Sequence, residues 1–344
     1  MNAAIRPVTL AHVAALAGVS AKTVSRVVNR DPNVSAETRR RIEIAIAETG
    51  FRPNPAARSL AASRSYLIGI FMSDTAAFYH AELYRGAARA CRALGFHLVL
   101  EEFDENSPRV VEQYERGLRF MRCDGMVLPP PLSDDTDLLD ALDRDGVRYV
   151  RLAPARNVDR STAIFADDAD GVAALARHMW ELGHRRFGIV AGPIDHAATA
   201  IRRDTFIASI IAAGGSADDV LVVDGAWDGS LMLAGRNAAM ALLDRPTRPG
   251  AIFAFNDEIA AGVMNYAREI GIGVPDDLAV AGFDDSDAAM LTWPSLTTVR
   301  QPVAGMGARA VEAIAAAEAT IRIDCPVSLV IRGSTRPERD GTAP

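Results

Sequence analysis

The chain has 344 residues, of which 49% are hydrophobic and 24% are charged, a composition that excludes wholesale disorder. A prior of roughly 150 residues per domain predicts two or three domains. The sequence contains no apolar run of about 18 residues that would predict a membrane span, and residues 1–7 lack the apolar stretch of a secretory signal. The three cysteines are too scattered for a disulfide framework or a thiolate zinc site. We therefore expect a soluble, cytoplasmic protein without a membrane partner.

Charge is distributed unevenly along the chain. The first 65 residues carry ten Lys and Arg against four Asp and Glu, whereas the remaining residues carry 27 against 40. A basic head on an acidic body suggests a small nucleic-acid-binding module joined to a domain with another role. Charge alone leaves open a second interpretation, in which the basic residues form only a solvated face.

Two short helices are predicted at the start of the head. Thr9 can cap a helix over Leu10–Ala17, Gly18 ends it, and Ser20 can cap a second helix over Ala21–Asn29. Two helices joined by such a short turn form a helix-turn-helix, whose second helix fits the major groove of DNA. The alternative is a generic three-helix bundle with a basic surface.

The second predicted helix has an apolar face and a polar face. Lys22, the only lysine of the chain, lies near its start, where side chains of a recognition helix reach base edges. A third helix is predicted from Ser35 to Glu48, with Gly50 as its stop. The outward-facing polar residues of the second helix are Lys22, Thr23, Ser25, Arg26 and Asn29.

A linker follows at residues 52–64. Pro53 and Pro55 interrupt any helix arriving from upstream, and Asn54 can cap a short helix over Ala56–Ala62. Because so short a helix is marginal in isolation, we expect the segment to order only on binding.

Short apolar strands alternate with helices from Ser65 onward. This alternation predicts parallel sheets wrapped by helices, and its length predicts two subdomains with a ligand crevice between them. The predicted strands are Tyr66–Met72, Phe96–Leu100, Gly125–Leu128, Val147–Leu152, Arg186–Ala191, Val220–Asp224, Ala251–Phe255 and Leu278–Gly282. The predicted helices are Ala81–Leu94, Arg109–Arg122, Gly171–Leu182, Arg203–Ala213, Leu231–Leu243 and Glu258–Ile270.

Catalytic patterns are missing from the sequence. There is no nucleophile elbow, no P-loop and no dinucleotide fingerprint, and the six histidines are scattered. The carboxylate pairs at 134–135, 167–168 and 284–285 suit turns and helix caps, with acid–base chemistry as the alternative. We expect no enzymatic activity, no cofactor and no metal.

Three segments of the head resemble the opening of the lac repressor (LacI/GalR) family of transcription regulators: residues 8–29 (VTLAHVAALAGVSAKTVSRVVN), 34–39 (VSAETR) and 50–60 (GFRPNPAARSL). The resemblance implies operator binding as a dimer, with Ala21 and Lys22 as the main base-reading pair and Arg26 beside them. It implies phosphate contacts for Thr9, Ser20, Thr23, Ser25 and Asn29.

The same resemblance makes residues 53–64 a hinge helix that contacts DNA through Ala57 and Leu60. Leu60 would wedge into the minor groove and kink the operator, at an unstacking cost that the bent geometry offsets. Packing of Leu60 on the core domain is the alternative.

The body continues the resemblance at residues 255–262 (FNDEIAAG), 271–277 (GIGVPDD), 282–285 (GFDD) and 294–302 (PSLTTVRQP). The implied fold is an N-terminal all-α helix-turn-helix head plus an α/β core of two parallel-sheet subdomains like periplasmic sugar-binding proteins. Carboxylate, amide and guanidinium groups suit sugar hydroxyls, and an aromatic ring suits a sugar face. By matching positions, the implied effector-binding residues are Ser73, Phe78, Tyr79, Arg202, Trp227, Asn256 and Asp284.

Alternatives stay open at this site. Asn256 and Asp284 can instead order strand-end turns. The family often has an aspartate where Ala153 and Pro154 follow a predicted strand here, with Arg151 nearby and Arg156 beyond. An arginine in this place predicts an acidic or phosphorylated sugar, or merely an outward-facing charge.

Together these observations predict a repressor that binds a pseudo-palindromic operator as a dimer and is released by a small molecule, most simply a sugar. A purine or other non-sugar metabolite, acting even as a corepressor, is the alternative effector; a solute-binding protein and a sugar-acting enzyme are alternative classes. The sequence has no leucine heptad tail of the kind that makes tetramers, so we expect a dimer. The predicted domains are the head at 1–52, the hinge at 53–64 and the core at 65–340, with subdomain one at about 65–165 and 295–325 and subdomain two at about 166–294 and 326–340.

Overall fold

The structure is a computed structural model that describes residues 8–28, 33–51, 64–72, 76–103, 110–194, 196–225, 230–317 and 320–336. The chain separates into two compact units, residues 1–65 and residues 66–344. None of the described helices combines the length and apolarity needed to cross a membrane.

The described residues 8–51 of the first unit form three helices: α1 Leu10–Ala17, α2 Ala21–Val28 and α3 Ala36–Thr49. Each has an apolar stripe at helical spacing, and the stripes meet in a small core around Val13, Val24 and Ile42. The predicted helices are therefore present, with Asn29, the predicted end of the second, outside the described residues.

Two six-stranded sheets form the second unit. The first has the order β11-β5-β4-β3-β1-β2 and the second the order β12-β10-β9-β8-β6-β7. Neighbouring strands are parallel, except that β12 runs antiparallel to β10. The strands are β1 Leu67–Met72, β2 His97–Glu102, β3 Gly125–Leu128, β4 Arg148–Leu152, β5 Thr162–Ala166, β6 Phe187–Ala191, β7 Val220–Asp224, β8 Ala251–Ala254, β9 Ala279–Asp284, β10 Thr297–Arg300, β11 Arg322–Cys325 and β12 Ser328–Val330.

Helices pack around both sheets, which confirms the predicted architecture. Strands β3 and β8 are buried along their whole length, as expected of parallel sheets covered on both faces. The helices of this unit are α4 Ala77–Leu94, α5 Val110–Arg116, α6 Leu118–Met121, α7 Thr136–Asp145, α8 Asp168–Glu181, α9 Ala197–Ala212, α10 Leu231–Leu243, α11 Asp257–Glu269, α12 Asp287–Leu291 and α13 Val303–Ala316.

Several element bounds differ from prediction. The helix predicted over Arg109–Arg122 is broken at Gly117, where a Cβ atom would lie 2.6 Å from the Glu101 carboxylate carbon. The helix predicted to begin at Arg203 begins at Ala197 instead, and this places Arg202 inside α9. The elements that the apolar pattern did not predict are α7, α12, α13, β5, β10, β11 and β12.

The crossing between subdomains also lies elsewhere than predicted. Strand β10 belongs to the second sheet, whereas α13 packs against α4 beneath the first. The chain therefore leaves the second subdomain at Gln301 and Pro302 rather than near residue 295. Buried hydroxyl groups hold β10 in place: Thr298 Oγ1 donates to Asp257 Oδ1 (2.6 Å), and Thr297 Oγ1 accepts from the Arg332 N–H (2.8 Å).

Candidate functional site

The start of α2 is the exposed part of the helix-turn-helix. Val24 and Val27 are buried against the other two helices, whereas Ala21 and Lys22 are exposed. Thr9 and Ser20, at the starts of α1 and α2, are exposed as well; Thr23, Ser25 and Arg26 are half-buried. This is the part of a recognition helix that reaches base edges.

The turn before α2 is set by a glycine and an arginine. Gly18 has φ +62°, and a Cβ atom there would lie 2.9 Å from the guanidinium of Arg41. That guanidinium donates to the Ala17 carbonyl, while the Ser20 hydroxyl accepts from the Thr23 N–H (3.1 Å). The direction of α2 relative to α1 is thus fixed by local chemistry.

A cleft of about 690 Å³, including the part open to solvent, lies at the carboxyl ends of the strands of both sheets. Its location is the usual one for ligand sites in open α/β sheets. Its wall consists of Ala76, Tyr79, His80, Pro130, Ala153, Ala166, Asp168, His196, Ala198, Arg202, Phe255, Asn256, Asp284, Gln301 and Met306.

Arg202 is held rigidly in this wall. Its Nε donates to Asp168 Oδ2 (3.2 Å), its Nη1 donates to the Phe255 carbonyl (2.8 Å), and its guanidinium lies 3.6 Å from the centre of the Phe283 ring. The other oxygen of Asp168, Oδ1, is buried and accepts no hydrogen bond from the described residues. A buried acceptor in this position is an available partner for a ligand hydroxyl.

Asp284 ends β9 in an unusual backbone conformation, with φ +104°. Its Oδ1 accepts a hydrogen bond from Gln301 Nε2 (2.6 Å). Burial raises the pKa of Asp284 to about 7, against the opposing charge of Arg202 and the Gln301 hydrogen bond. Near neutral pH this carboxyl can therefore accept from, or donate to, a ligand hydroxyl.

Asp257 supports the turn that follows β9. Its Oδ2 accepts from the Ser286 N–H (2.7 Å) and hydroxyl (3.0 Å), and its Oδ1 accepts from Thr298. Burial and then the charge of Asp284 raise the pKa of Asp257 well above its ordinary value. A Cβ atom on Gly282 would lie 2.4 Å from Asp257 Oδ1, so the glycine leaves the space that this carboxyl occupies.

Asn256 has two roles that the sequence left as alternatives. Its Oδ1 caps α11 by accepting from the Ile259 N–H (2.9 Å), and the residue also lines the cleft. With the oxygen used by the cap, the side-chain amide nitrogen is the group that can donate to a ligand.

Tyr79 and Phe78 lie at the start of α4. Burial and then the charge of Asp284 raise the pKa of Tyr79, which keeps its hydroxyl protonated. Phe78 does not line the cleft; its N–H donates to Glu258 Oε1 (3.3 Å) and links α4 to α11 across the two subdomains. Of these two neighbouring residues, both predicted to bind the effector, Tyr79 lines the cleft and Phe78 does not.

Arg151 points away from the cleft and is fully buried, so neither sequence interpretation of it holds. Its Nε donates to Ser161 Oγ (3.0 Å), its Nη1 to the carbonyls of Ser133 (3.3 Å) and Arg156 (3.0 Å), and its Nη2 to the Asn157 carbonyl. Arg156 is exposed and does not line the cleft either. The reason is strand alternation, which turns Arg151 toward the loop at 154–161.

Comparison with known proteins agrees with both units. Residues 9–54 match the family "Bacterial regulatory proteins, lacI family", and residues 176–335 match a periplasmic binding protein-like domain. The chain is 31% identical to the ribose operon repressor of Escherichia coli (strain K12) over 89% of this chain and 92% of the relative. The chain belongs to the lacI family of bacterial regulatory proteins.

Solved structures of LacI-family regulators share the whole architecture. A lac repressor dimer bound to operator and the anti-inducer ONPF is 29% identical over 96% of this chain and 99% of that chain, with a TM-score of 0.77. A complex of the transcriptional regulator CelR with cellobiose is 31% identical over 96% of this chain and 100% of that chain, with a TM-score of 0.70. The relatives are regulators of transcription, not enzymes.

In this LacI-family regulator, four predicted effector residues meet in one cleft: Tyr79, Arg202, Asn256 and Asp284. Phe78 lies outside its wall. The predicted residues that lie outside the described part of the chain are Ser73 and Trp227 in the core, and Asn29, Ala57 and Leu60 in and after the head.

Sequence reasoning missed four polar residues of the wall: His80, Asp168, His196 and Gln301. Gln301 stands within a quoted family segment, and Asp168 belongs to a quoted carboxylate pair, so both could have been found. The sequence predicts a turn or helix-cap role for Asp168 because its apolar pattern does not predict β5, the strand that brings this residue to the cleft.

Proposed function

We propose that this regulator is a repressor that binds a pseudo-palindromic operator as a dimer in the cytoplasm and is released by a neutral sugar or sugar derivative. The observation that carries the effector half is the convergence of Asp168, Arg202, Asn256 and Asp284 on one cleft. Relatives named for ribose and a neighbour bound to cellobiose support the same class.

The head supplies the operator contacts. The exposed Ala21 and Lys22 read base edges in the major groove, with Arg26 beside them. Phosphate contacts by Thr9, Ser20, Thr23, Ser25 and Asn29 set the register. The hinge, with Ala57 and Leu60, completes the contact at the operator centre.

The cleft favours a neutral ligand over an acidic one. Among the described residues, its wall holds two carboxyl groups, Asp168 and Asp284, and one arginine, Arg202, whose charge is already paired with Asp168. Arg151, the cation that favoured an acidic or phosphorylated sugar, is used by the loop behind the strand. An acidic ligand would meet repulsion from the Asp168 carboxylate, and from Asp284 where that carboxyl is ionised.

An apolar surface suits the dimer. Met290, Leu291 and Trp293 are neighbours in the chain and are 63%, 77% and 83% exposed. Three large apolar side chains so exposed in succession mark a protein interface. We place a contact between the two copies here because the lac repressor neighbour is a dimer on its operator.

Release follows from a ligand that contacts both subdomains. Tyr79 of α4 and Asp284 of β9 belong to different subdomains, and both line the cleft. An effector that contacts both residues binds some arrangements of the two subdomains more tightly than others, so it changes the free-energy balance between these arrangements. Each 1.4 kcal/mol of differential affinity changes operator affinity about tenfold.

Selection from a random DNA library, followed by fluorescence anisotropy on the selected operator, tests both halves. We expect a two-fold symmetric site, and we expect one of a panel of monosaccharides and disaccharides to weaken binding. A panel of uronic acids, sugar phosphates and purines runs in parallel. Release only by a purine or a phosphate contradicts the sugar effector, tighter DNA binding makes the ligand a corepressor, and an unselective head contradicts operator binding.

A further inference from the structure

The first turn of α4 is held by a residue of the other subdomain. Ala76 precedes this helix as its N-cap residue, and its methyl side chain offers no acceptor to the N–H groups of the first turn. The Phe78 N–H donates instead to Glu258 Oε1 (3.3 Å), although the two residues are 180 positions apart. Because Glu258 lies in the first turn of α11, its carboxylate caps a helix of the first subdomain from the second.

A carboxylate suits this place. The N-terminus of α4, a helix of 18 residues, carries a partial positive charge, so an anion beside it is stabilised. Burial raises the pKa of Glu258, whereas the hydrogen bond from the Phe78 N–H stabilises its ionised form. The half-buried carboxylate is therefore more stable while the start of α4 stays beside it.

An apolar contact accompanies this hydrogen bond. Ala76 packs against the buried cluster of the second subdomain that contains Phe255 and Ile259. We define the α4 clasp as Ala76, Phe78 and Glu258. The clasp joins the two subdomains through side-chain and backbone contacts, away from the segments at which the chain itself passes from one sheet to the other.

The α4 clasp adjoins the cleft on both sides. Ala76 and Tyr79 line the cleft from the first subdomain, and Asn256, two residues before Glu258, lines it from the second. Burial and, to a smaller extent, the charge of Glu258 raise the pKa of Asp284 in the same cleft. Separation of the clasp would thus move Tyr79 away from Asn256 and Asp284.

We infer that Glu258 is a positioning residue, whose carboxylate caps α4 across the cleft and holds the two walls at the spacing that an effector bridges. The clasp stands on contacts within the second unit, whereas its effect on the effector rests on the proposed function. Because the clasp keeps the cleft assembled before a ligand arrives, the effector does not have to bring the walls together, and its apparent affinity is higher.

Double electron–electron resonance on the full-length protein, without ligand, tests the clasp. Spin labels are placed at Arg144→Cys after the first subdomain's α7 core and at Ala213→Cys after α9, two exposed positions in different subdomains. The three native cysteines are buried, so the labels attach to the introduced ones. Dilution with unlabelled protein removes label pairs between copies.

We expect one narrow distance distribution in the otherwise wild-type protein and a second distance population in Glu258→Ala. Glu258→Gln keeps an acceptor oxygen for the Phe78 N–H and should restore the single population. Glu312→Ala, which removes an exposed glutamate of α13, is the matched control and should leave the distribution unchanged.

Amide hydrogen exchange at Phe78 gives a second, local measurement. In Glu258→Ala the Phe78 amide should exchange at least about tenfold faster, because its acceptor is gone, while the later turns of α4 exchange as in the wild type. Faster exchange throughout the second unit would instead show that the substitution only destabilises the fold, in which case Glu258→Gln decides the inference through the distance distribution.

The outcomes separate the inference from the proposed function. A single, unchanged distance distribution in Glu258→Ala overturns the clasp and leaves a sugar effector standing. If the clasp holds, the sugar concentration that half-releases the selected operator should be at least about fivefold higher for Glu258→Ala than for Glu258→Gln. Failure of every sugar in the panel to release the operator contradicts the proposed function, while the distance and exchange measurements still decide the clasp.

Discussion

Asp284 combines a left-handed backbone conformation with a carboxyl group buried near the negative charges of Asp168 and Glu258. Both features cost folding free energy, and both lie where the cleft needs a hydrogen-bonding group. Arg151 shows the reverse case, since a buried charge close to the cleft serves only to order a loop. At the scale of single residues, a buried charge can thus serve either the cleft or a loop, and its hydrogen-bond partners decide which.

The pKa of Asp284, raised to about 7, predicts a pH dependence of stability. An unfolded aspartate releases its proton near pH 4, so between about pH 4 and 7 the folded state holds a proton that the unfolded state has lost. This contribution to stability is complete below pH 4 and is lost as the pH rises through 7. We expect the melting temperature of Asp284→Asn to fall less between pH 5 and 8 than that of the wild type.

Calorimetry at four pH values measures this difference. Asp218→Asn, at an exposed position outside the cleft wall, serves as the control and should keep the wild-type slope. Equal slopes for Asp284→Asn and the wild type would show that the carboxyl ionises normally.

Arg151→Leu tests the structural role of the buried arginine. The substitution leaves the carbonyls of Ser133, Arg156 and Asn157 without their donor, and we expect the free energy of unfolding to fall by about 3 kcal/mol. Urea denaturation measures it, and Arg156→Leu, at an exposed neighbour, should change it by less than about 0.5 kcal/mol. Loss of effector affinity at unchanged stability would instead return Arg151 to the ligand site.

Lys22→Ala tests base reading by the head. If Lys22 donates to base edges, the variant loses base preference at one position in each half-site, at a cost of about 1–3 kcal/mol on the preferred sequence. Sequencing of DNA selected by each protein measures it, with Lys22→Arg as the charge-conserving control. An unchanged preference with uniformly weaker binding would assign Lys22 to a phosphate.

At the scale of elements, each subdomain contains a helix pair that glycines allow to approach closely. A Cβ atom on Gly86 of α4 would lie 1.8 Å from the Ala304 carbonyl oxygen of α13, and one on Gly235 of α10 would lie 2.1 Å from the Ile259 carbonyl oxygen of α11. Helix α13 contains Met306, and helix α11 begins directly after Asn256; both residues line the cleft. These two helix crossings therefore set the position of both walls of the cleft.

Two glycines of α13 give a matched pair. A Cβ atom on Gly307 would lie 2.4 Å from the Leu83 carbonyl oxygen, whereas one on Gly305 would meet only Pro302 at 3.6 Å. We expect Gly307→Ala to lower the free energy of unfolding by about 1–3 kcal/mol through overpacking. Gly305→Ala should raise it by about 0.5–1 kcal/mol through helix propensity. Chemical denaturation measures both, and equal effects would contradict the crossing geometry.

At the scale of the whole molecule, the chain passes between the sheets of the second unit at residues 166–168, at 301–302 and again between β11 and β12. Asp168 and Gln301, both in the cleft wall, stand at two of these crossings. A ligand between the walls therefore touches the segments about which the subdomains would rotate.

Trp293→Glu tests the proposed dimer surface. A buried charge at the contact should weaken the dimer at least about tenfold, and operator affinity should fall with it because the two heads no longer bind as one unit. Sedimentation velocity measures the dimer. Phe120→Glu, which also replaces a highly exposed aromatic (88%), is the control, and an intact Trp293→Glu dimer would move the interface elsewhere.

Sequence alone determined the helix-turn-helix and the alternation of strands and helices, because caps and apolar periodicity are short-range properties. The family resemblance of short motifs predicted Tyr79, Arg202, Asn256 and Asp284 as effector residues, and these four line one cleft. Only the tertiary structure decided that Phe78 and Arg151 lie outside the cleft, that Asp168 and His80 lie inside it, and that the chain crosses at Gln301. These positions depend on strands such as β5 and β10, because the place of each strand in its sheet is set by pairing with residues far away in the chain. They also depend on the direction in which a given side chain of an alternating strand points. A sequence pattern contains the period of that alternation, but not which face meets the ligand.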